Sequence, residues 1–217
     1  MKANSKYMAS FISLVAVGLL AASASQAATK PSSIFTFTPK ATDDVFSVKS
    51  KGWRDPAFGD MGWTHHSDWG TVRARRGETV TIRMAAADAG VHPGITVWYR
   101  GVADTASDTY VVDHFYPQNA NFAKFGATDD TSGEKLGNIV MRYIVHGYDA
   151  DGNTKTIRSM KPIKDGVPGQ LEVSFVAPRN GNYMFVVGGF NPDAGVDTTL
   201  KYNVDVNVTR TPAPVAE

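Results

Sequence analysis

Two adjacent histidines stand between two tryptophans in Met61-Gly-Trp-Thr-His-His-Ser-Asp-Trp-Gly70, in a chain of 217 residues that holds only five histidines and no cysteine. A neutral imidazole offers a nitrogen lone pair near pH 7 and suits zinc, copper, iron and nickel alike. If the segment is extended, Trp63, His65, Ser67 and Trp69 share one face while His66 and Asp68 take the other. His65 is then the histidine that faces a site containing the tryptophans. A single histidine does not hold a metal, so a partner must come from elsewhere. His114 is the preferred one, because it lies in a long irregular segment and follows Asp113, whose carboxylate could orient its ring. His92, in Val91-His-Pro-Gly94, reads as a turn residue, and His146 as the end of a strand. Against this stands the plain reading, in which the histidines are surface or core residues and the tryptophans serve packing.

The elements that must position these residues are short. Period-two segments rich in β-branched residues occur at 33–38, 44–49, 71–75, 78–84, 95–100, 138–145, 170–176, 183–187 and 200–208. Gly and Pro pairs punctuate them at Arg76-Gly77, Pro93-Gly94, Asp151-Gly152, Pro168-Gly169 and Asn180-Gly181. There is no long amphipathic helix pattern. The expected fold is all-β, an antiparallel β-sandwich of about nine strands whose two sheets bury their alternate residues against each other. Two long loops interrupt it, 52–70 and 103–134, the second with a hint of strand at Tyr110 to Val112. Loops of that length inside a compact domain tend to be functional, and both contain histidine.

The first residues address the compartment. Lys2 and Lys6 precede a largely apolar run from Met8 to Ala22, and Ser25-Gln-Ala27 is a small-x-small cleavage signal, which together read as a secretory signal peptide over residues 1–27. The run is shorter than the roughly 20 residues that span a bilayer, so the protein is not expected to be membrane-spanning. Cleavage removes Lys2 and Lys6 and no acid from 22 basic and 21 acidic residues, leaving a formal charge of −1. That balance points to no nucleic acid and to no anionic lipid. Residues 28–208 are expected to form one domain, and 209–217, with Pro212 and Pro214, a disordered tail. Without cysteine, the secreted domain has no disulfide framework and no thiolate ligand.

Trp63-Thr-His65 with the remote His114, the preceding Trp53-Arg-Asp-Pro-Ala-Phe-Gly-Asp60 and the signal peptide resemble the CorA/MopE family of copper-repressible copper(I)-binding proteins from methane-oxidising bacteria. The resemblance implies an extracytoplasmic β-rich domain, secreted, at the cell surface or associated with the outer membrane. It also implies one Cu(I) held by two histidines and a kynurenine formed by oxidation of a tryptophan. Carried over by position, the metal residues are Trp63, His65 and His114, with Trp63 the residue converted to kynurenine. His66 and Trp69 leave a second pairing open. The implied role is copper acquisition or storage, with copper ion as partner and an outer-membrane or copper-uptake protein as a further one.

The chemistry suits that role. Cu(I) accepts two or three ligands, whereas Cu(II) prefers tetragonal sets, so a carboxylate-poor aromatic site favours the lower charge. Met61 offers a soft thioether, with apolar packing as the alternative. Calcium, associated with some family members, finds oxygen donors in Asp149-Ala-Asp-Gly-Asn153 and at Asp55, Asp60, Asp129 and Asp130. Gly152 and Met160 depart from the EF-hand pattern, which makes a β-turn the better reading of that segment. No hydrolase, phosphate-loop or zinc-protease motif is present, and no enzyme activity is expected. The competing functions are a copper-dependent oxidase at His65 and His114, and a metal-free adhesion or carbohydrate-binding sandwich that uses Trp53, Trp63, Trp69 and Trp98 as a stacking platform.

Overall fold

The alternation in Gln170-Leu-Glu-Val-Ser-Phe-Val176 shows how the fold is built: Leu171, Val173 and Phe175 are buried while Glu172 and Ser174 are exposed. Each such apolar side chain, once removed from water, contributes about 1.5–3 kcal/mol. The computed structural model describes residues 34–50, 53–54, 61–62, 67–88, 90–114, 119–129, 132–152, 158–190 and 193–213. The strands are β1 (Phe35–Phe37), β2 (Asp43–Lys49), β3 (Trp53–Arg54), β4 (Met61–Gly62), β5 (Asp68–Ala74), β6 (Thr79–Ala86), β7 (Pro93–Arg100), β8 (Phe122–Thr128), β9 (Lys135–Asp149), β10 (Pro162–Ile163), β11 (Gln170–Val176), β12 (Gly181–Gly189) and β13 (Lys201–Thr211). One short helix, α1 (Asp108–His114), and a 3-10 turn at Arg158–Met160 complete the described elements.

Two sheets pack face to face, as expected. The larger runs β1-β5-β12-β7-β9-β10, with β8 also paired to β9, and the smaller runs β11-β6-β13-β2. Between them lies a core in which Phe46, Val48, Val80, Ile82, Met84, Leu171, Val173, Val204, Val206 and Val208 of the small sheet meet Phe37, Val72, Ile95, Val97, Tyr183, Phe185 and Val187 of the large one. The pairing is antiparallel except at two places, where β1 runs parallel to β5 and β10 parallel to β9. The short 38–42 connection carries the chain from one sheet to the other, so β1 and β2 are not a hairpin and β1 keeps its own direction. Gly77, with φ at +86°, makes the tight turn from β5 into β6 that a side chain with a β-carbon would strain.

The large sheet is covered on both faces, which the sequence pattern did not signal. Every residue of β7 is buried. Its outer face carries a second core of Trp69, Trp98, Val111, Ala127, Ile139, Met141, Tyr148, Met160, Met184, Val186 and Phe190. The segment expected to be a long loop supplies much of this cover, through α1 and β8. The hint of strand at Tyr110 to Val112 is corrected to helix: Val111 donates to the carbonyl of Ser107 at 3.2 Å, and Asp108 places its charge in the first turn, where the helix dipole favours it. β13 continues to Thr211, with Arg210 Nη1 donating to the carbonyl of Arg73 at 2.7 Å, so the ordered strand enters the stretch expected as a tail.

Candidate metal centre

The histidine segment lies between two described elements. β4 pairs with β3, Trp53 opposite Gly62 and Arg54 opposite Met61, and the chain resumes at Ser67 and β5. Trp63, His65 and His66 lie outside the described residues. On β5 the expected alternation holds. Asp68 turns to the small sheet, where its Oδ2 accepts from the amide of Ser47 on β2 at 2.6 Å, and burial above all raises its carboxyl above the usual range. Trp69 turns the other way, 3% exposed, and stacks on Trp98 with ring centroids 6.0 Å apart. Trp98 Nε1 donates to the carbonyl of Ala120 at 3.0 Å. Ser67 Oγ is buried and has no partner among the described residues.

His114 is the last residue of α1, and the position of its side chain is not among the described ones. The helix itself is firmly seated. Val111, one turn before His114, is fully buried in the same cluster as Trp69. At the other end the buried guanidinium of Arg100 on β7 donates through Nε to Asp104 Oδ2 at 2.6 Å, pairs with Asp104 Oδ1 through Nη2, and meets Asp108 Oδ1 at 3.0 Å. Asp104 Oδ2 also accepts from the amide of Val140 on β9 at 2.7 Å. Arg100, Asp104 and Asp108 therefore tie α1 to β7 and β9. Sequence reasoning missed them; the Arg-x-x-x-Asp spacing was visible, but the burial that gives it meaning was not.

The remaining histidines depart from expectation. His92 is not an open turn residue: it is fully buried, its Nδ1 lies 2.8 Å from Asp149 Oδ2 and its Nε2 3.3 Å from Asp193 Oδ1. Both ring nitrogens face carboxylate oxygens, an arrangement that favours the protonated ring. The hydrogen bond to Asp149 is the main cause that raises its pKa above the ordinary histidine value, against the opposing effect of burial. Its partners stand 57 and 101 positions away in sequence, where no local motif reveals them. His146 lies within β9, three residues before its end, and its Nδ1 meets the hydroxyl of Tyr143 at 2.7 Å.

The acidic turn is also committed to structure. Asp149 accepts from the amides of Gly169 at 2.7 Å and Asp151 at 2.8 Å besides holding His92, and Asp151 Oδ2 caps the amides of Asp165 and Gly166. Asp129 Oδ1 accepts from both the amide and the hydroxyl of Ser132. Asp55, Asp60 and Asp130 lie outside the described residues. Among the described residues no group of three or more His, Cys, Asp or Glu side chains could hold a metal ion. No helix among them is long and apolar enough to cross a membrane.

The family model described as copper(I)-binding protein CorA-like matches residues 26–197. Among solved structures, CorA, a surface-associated copper-binding protein important in Methylomicrobium album BG8 copper acquisition, superposes with a TM-score of 0.70 at 32% identity, over 82% of this chain and 98% of its own. The secreted protein MopE of Methylococcus capsulatus, in which an oxidised tryptophan facilitates copper binding, superposes with a TM-score of 0.52 at 18% identity, over 81% of this chain and 87% of its own. At that identity the second likeness speaks for the fold. No curated protein sequence matches the chain. The architecture is thus that of the copper-binding β-sandwiches. With a family-model match over most of its length and 32% identity to CorA, the chain belongs to the CorA-like copper(I)-binding protein family.

Proposed function

We propose that this protein is secreted after removal of residues 1–27 and binds one Cu(I) through His65, His114 and a kynurenine derived from Trp63, for copper acquisition or storage at the cell surface. The observation that carries the reading is the shared seat of α1 and β5. Val111 and Trp69 belong to one buried cluster on the outer face of the large sheet. His114 follows Val111 by one helical turn, and His65 precedes Trp69 by four residues, a tether of at most roughly 14 Å. The helix that ends at His114 and the strand that follows the histidine segment are thus seated on the same face of one sheet.

Two further observations favour it. His92 and His146 are engaged by Asp149, Asp193 and Tyr143, so the candidate ligands of the five histidines are His65, His66 and His114. The outer face of the large sheet, where β5 and α1 are seated, is aromatic and thioether-rich, with Trp69, Trp98, Met141, Met160 and Met184, an environment that disfavours the more highly charged Cu(II). The relatives' descriptions support the role, since CorA is important in copper acquisition and MopE uses an oxidised tryptophan. The protein acts as a binder, not as an enzyme, and hands copper to an outer-membrane or uptake partner. Asp129 and Asp149 are engaged by internal hydrogen bonds, so the candidate calcium oxygens are those of Asp55, Asp60 and Asp130. The experiment is native mass spectrometry of protein from its own source with peptide mapping of residues 52–76. One copper per chain and an oxidised Trp63 are expected. An apo chain with every tryptophan intact would overturn the reading in favour of a carbohydrate-binding or adhesion sandwich.

A further inference from the structure

Two stacked indoles and a phenol on a paired strand share the outer face of the large sheet. Trp69 stands on β5 and Trp98 on β7, diagonal to each other across β12, and their rings stack at 6.0 Å with planes 23° apart. Tyr143 on β9 is the cross-strand partner of Trp98 and packs against the same buried cluster. Such partners hold their β-carbons roughly 4.5–5.5 Å apart. Next to this pair the Tyr143 hydroxyl meets His146 Nδ1 at 2.7 Å, and Lys161 Nζ gives the phenol oxygen a hydrogen bond at 2.8 Å. Lys161 adopts this place with φ at +51°, the single left-handed non-glycine among the described residues, a conformation that the surrounding structure must enforce.

We propose that Trp69, Trp98 and Tyr143 form a redox relay that carries one-electron oxidising equivalents from β5 across the outer face of the large sheet to β9, where Tyr143 discharges them. The need for it rests on the copper reading above, because the oxidant is an alkoxyl or hydroxyl radical, the class of product that hydroperoxides yield at reduced copper. The radical takes one electron from Trp69 and becomes the corresponding anion, which water protonates. The Trp69 radical cation takes an electron from Trp98. The Trp98 indole N–H is bonded to the carbonyl of Ala120, too weak a base to remove its proton, so the charge passes on. Tyr143 gives one electron to Trp98 and its phenolic proton to His146 Nδ1, which leaves both indoles restored, a neutral phenoxyl and an imidazolium. Tyr143 also lines an open groove of about 700 Å³ with Phe122 and Arg142, through which a soluble reductant reaches it. The relay would spare the metal-binding residues from repeated oxidation.

The test needs no copper, so its failure is separable from failure of the copper reading, which the His114→Ala variant addresses. The chain has no cysteine, so Thr36→Cys on the exposed side of β1 accepts a single ruthenium polypyridyl photo-oxidant. That site is beside β5 and four strands from β9, roughly 19 Å away. Flash photolysis with a sacrificial electron acceptor, read by transient absorption and electron paramagnetic resonance, should give a tyrosyl phenoxyl. Tyr143→Phe, which removes one hydroxyl, should leave an indole radical in its place, and Trp98→Phe should lower the phenoxyl yield by an order of magnitude. No phenoxyl in the labelled parent, a phenoxyl that persists in Tyr143→Phe, or a yield indifferent to Trp98→Phe would each overturn the proposal.

Discussion

Replacing Asp149 by alanine tests whether the buried His92 cluster holds the sandwich together. Both His92 and Asp149 are fully buried, and Asp149 serves His92 and the amides of Gly169 and Asp151 at once, linking the end of β9 to the start of β7 and to the connection before β11. Removing one partner of a buried pair costs about 3–5 kcal/mol, because the His92 ring keeps only its longer contact to Asp193 and two amides lose their acceptor. For a domain of this size that corresponds to a fall in Tm of roughly 6–20 °C. The pH dependence gives an independent check. His92 has a raised pKa in the folded state, so its contribution is fully present below the unfolded histidine value and is lost as pH rises through the folded one. Urea denaturation followed across that window should show wild-type stability declining with rising pH and a flatter profile in Asp149→Ala. A variant within about 1 kcal/mol of wild type, or one with an unchanged pH profile, would refute the reasoning, since the energy would then lie elsewhere.

Other outcomes follow from the site and the fold. His114→Ala should abolish stoichiometric copper binding in a competition titration with a Cu(I) chelator while leaving the Tm close to wild type. Asp108→Ala, at a carboxylate whose side chain is 40% exposed, should leave the Arg100–Asp104 pair intact yet loosen the start of α1, weakening Cu(I) affinity by roughly tenfold or more in the same titration. Gly189→Ala should destabilise by about 1–3 kcal/mol or more in urea, because its new β-carbon would stand 2.5 Å from Ser50 Cα and 2.9 Å from Lys49 O, backbone atoms that cannot rotate away. Trp69→Ala should cost about 3–5 kcal/mol by emptying the outer core, read as a lower urea midpoint.

The amino-acid sequence by itself determined most of the strands. Where one face is buried and the other wet, as in β11 and β13, polarity alternates with the side chains and the period can be read directly. It also carried the likeness to the copper-binding family, since Trp63-x-His65 and a remote histidine form a pattern of residue types that is legible without coordinates. What stayed hidden was whatever depends on contacts between distant positions. β8 and α1 looked like loop because Tyr110, Val111, Val112, Phe122 and Ala127 pack into an outer cluster whose existence could not be foreseen. Tyr110 to Val112 read as strand from their β-branched content, yet a local hydrogen bond to Ser107 and the buried seat of Val111 chose helix. His92 read as a turn residue because proline and glycine follow it, while its two carboxylate partners reach it from the far end of β9 and from beyond β12. Propensity and periodicity are local quantities, legible in a row of neighbours. Burial, ion pairing and the approach of Trp69 to Trp98 arise only when the folded chain brings remote positions together, and so only the tertiary structure decided them.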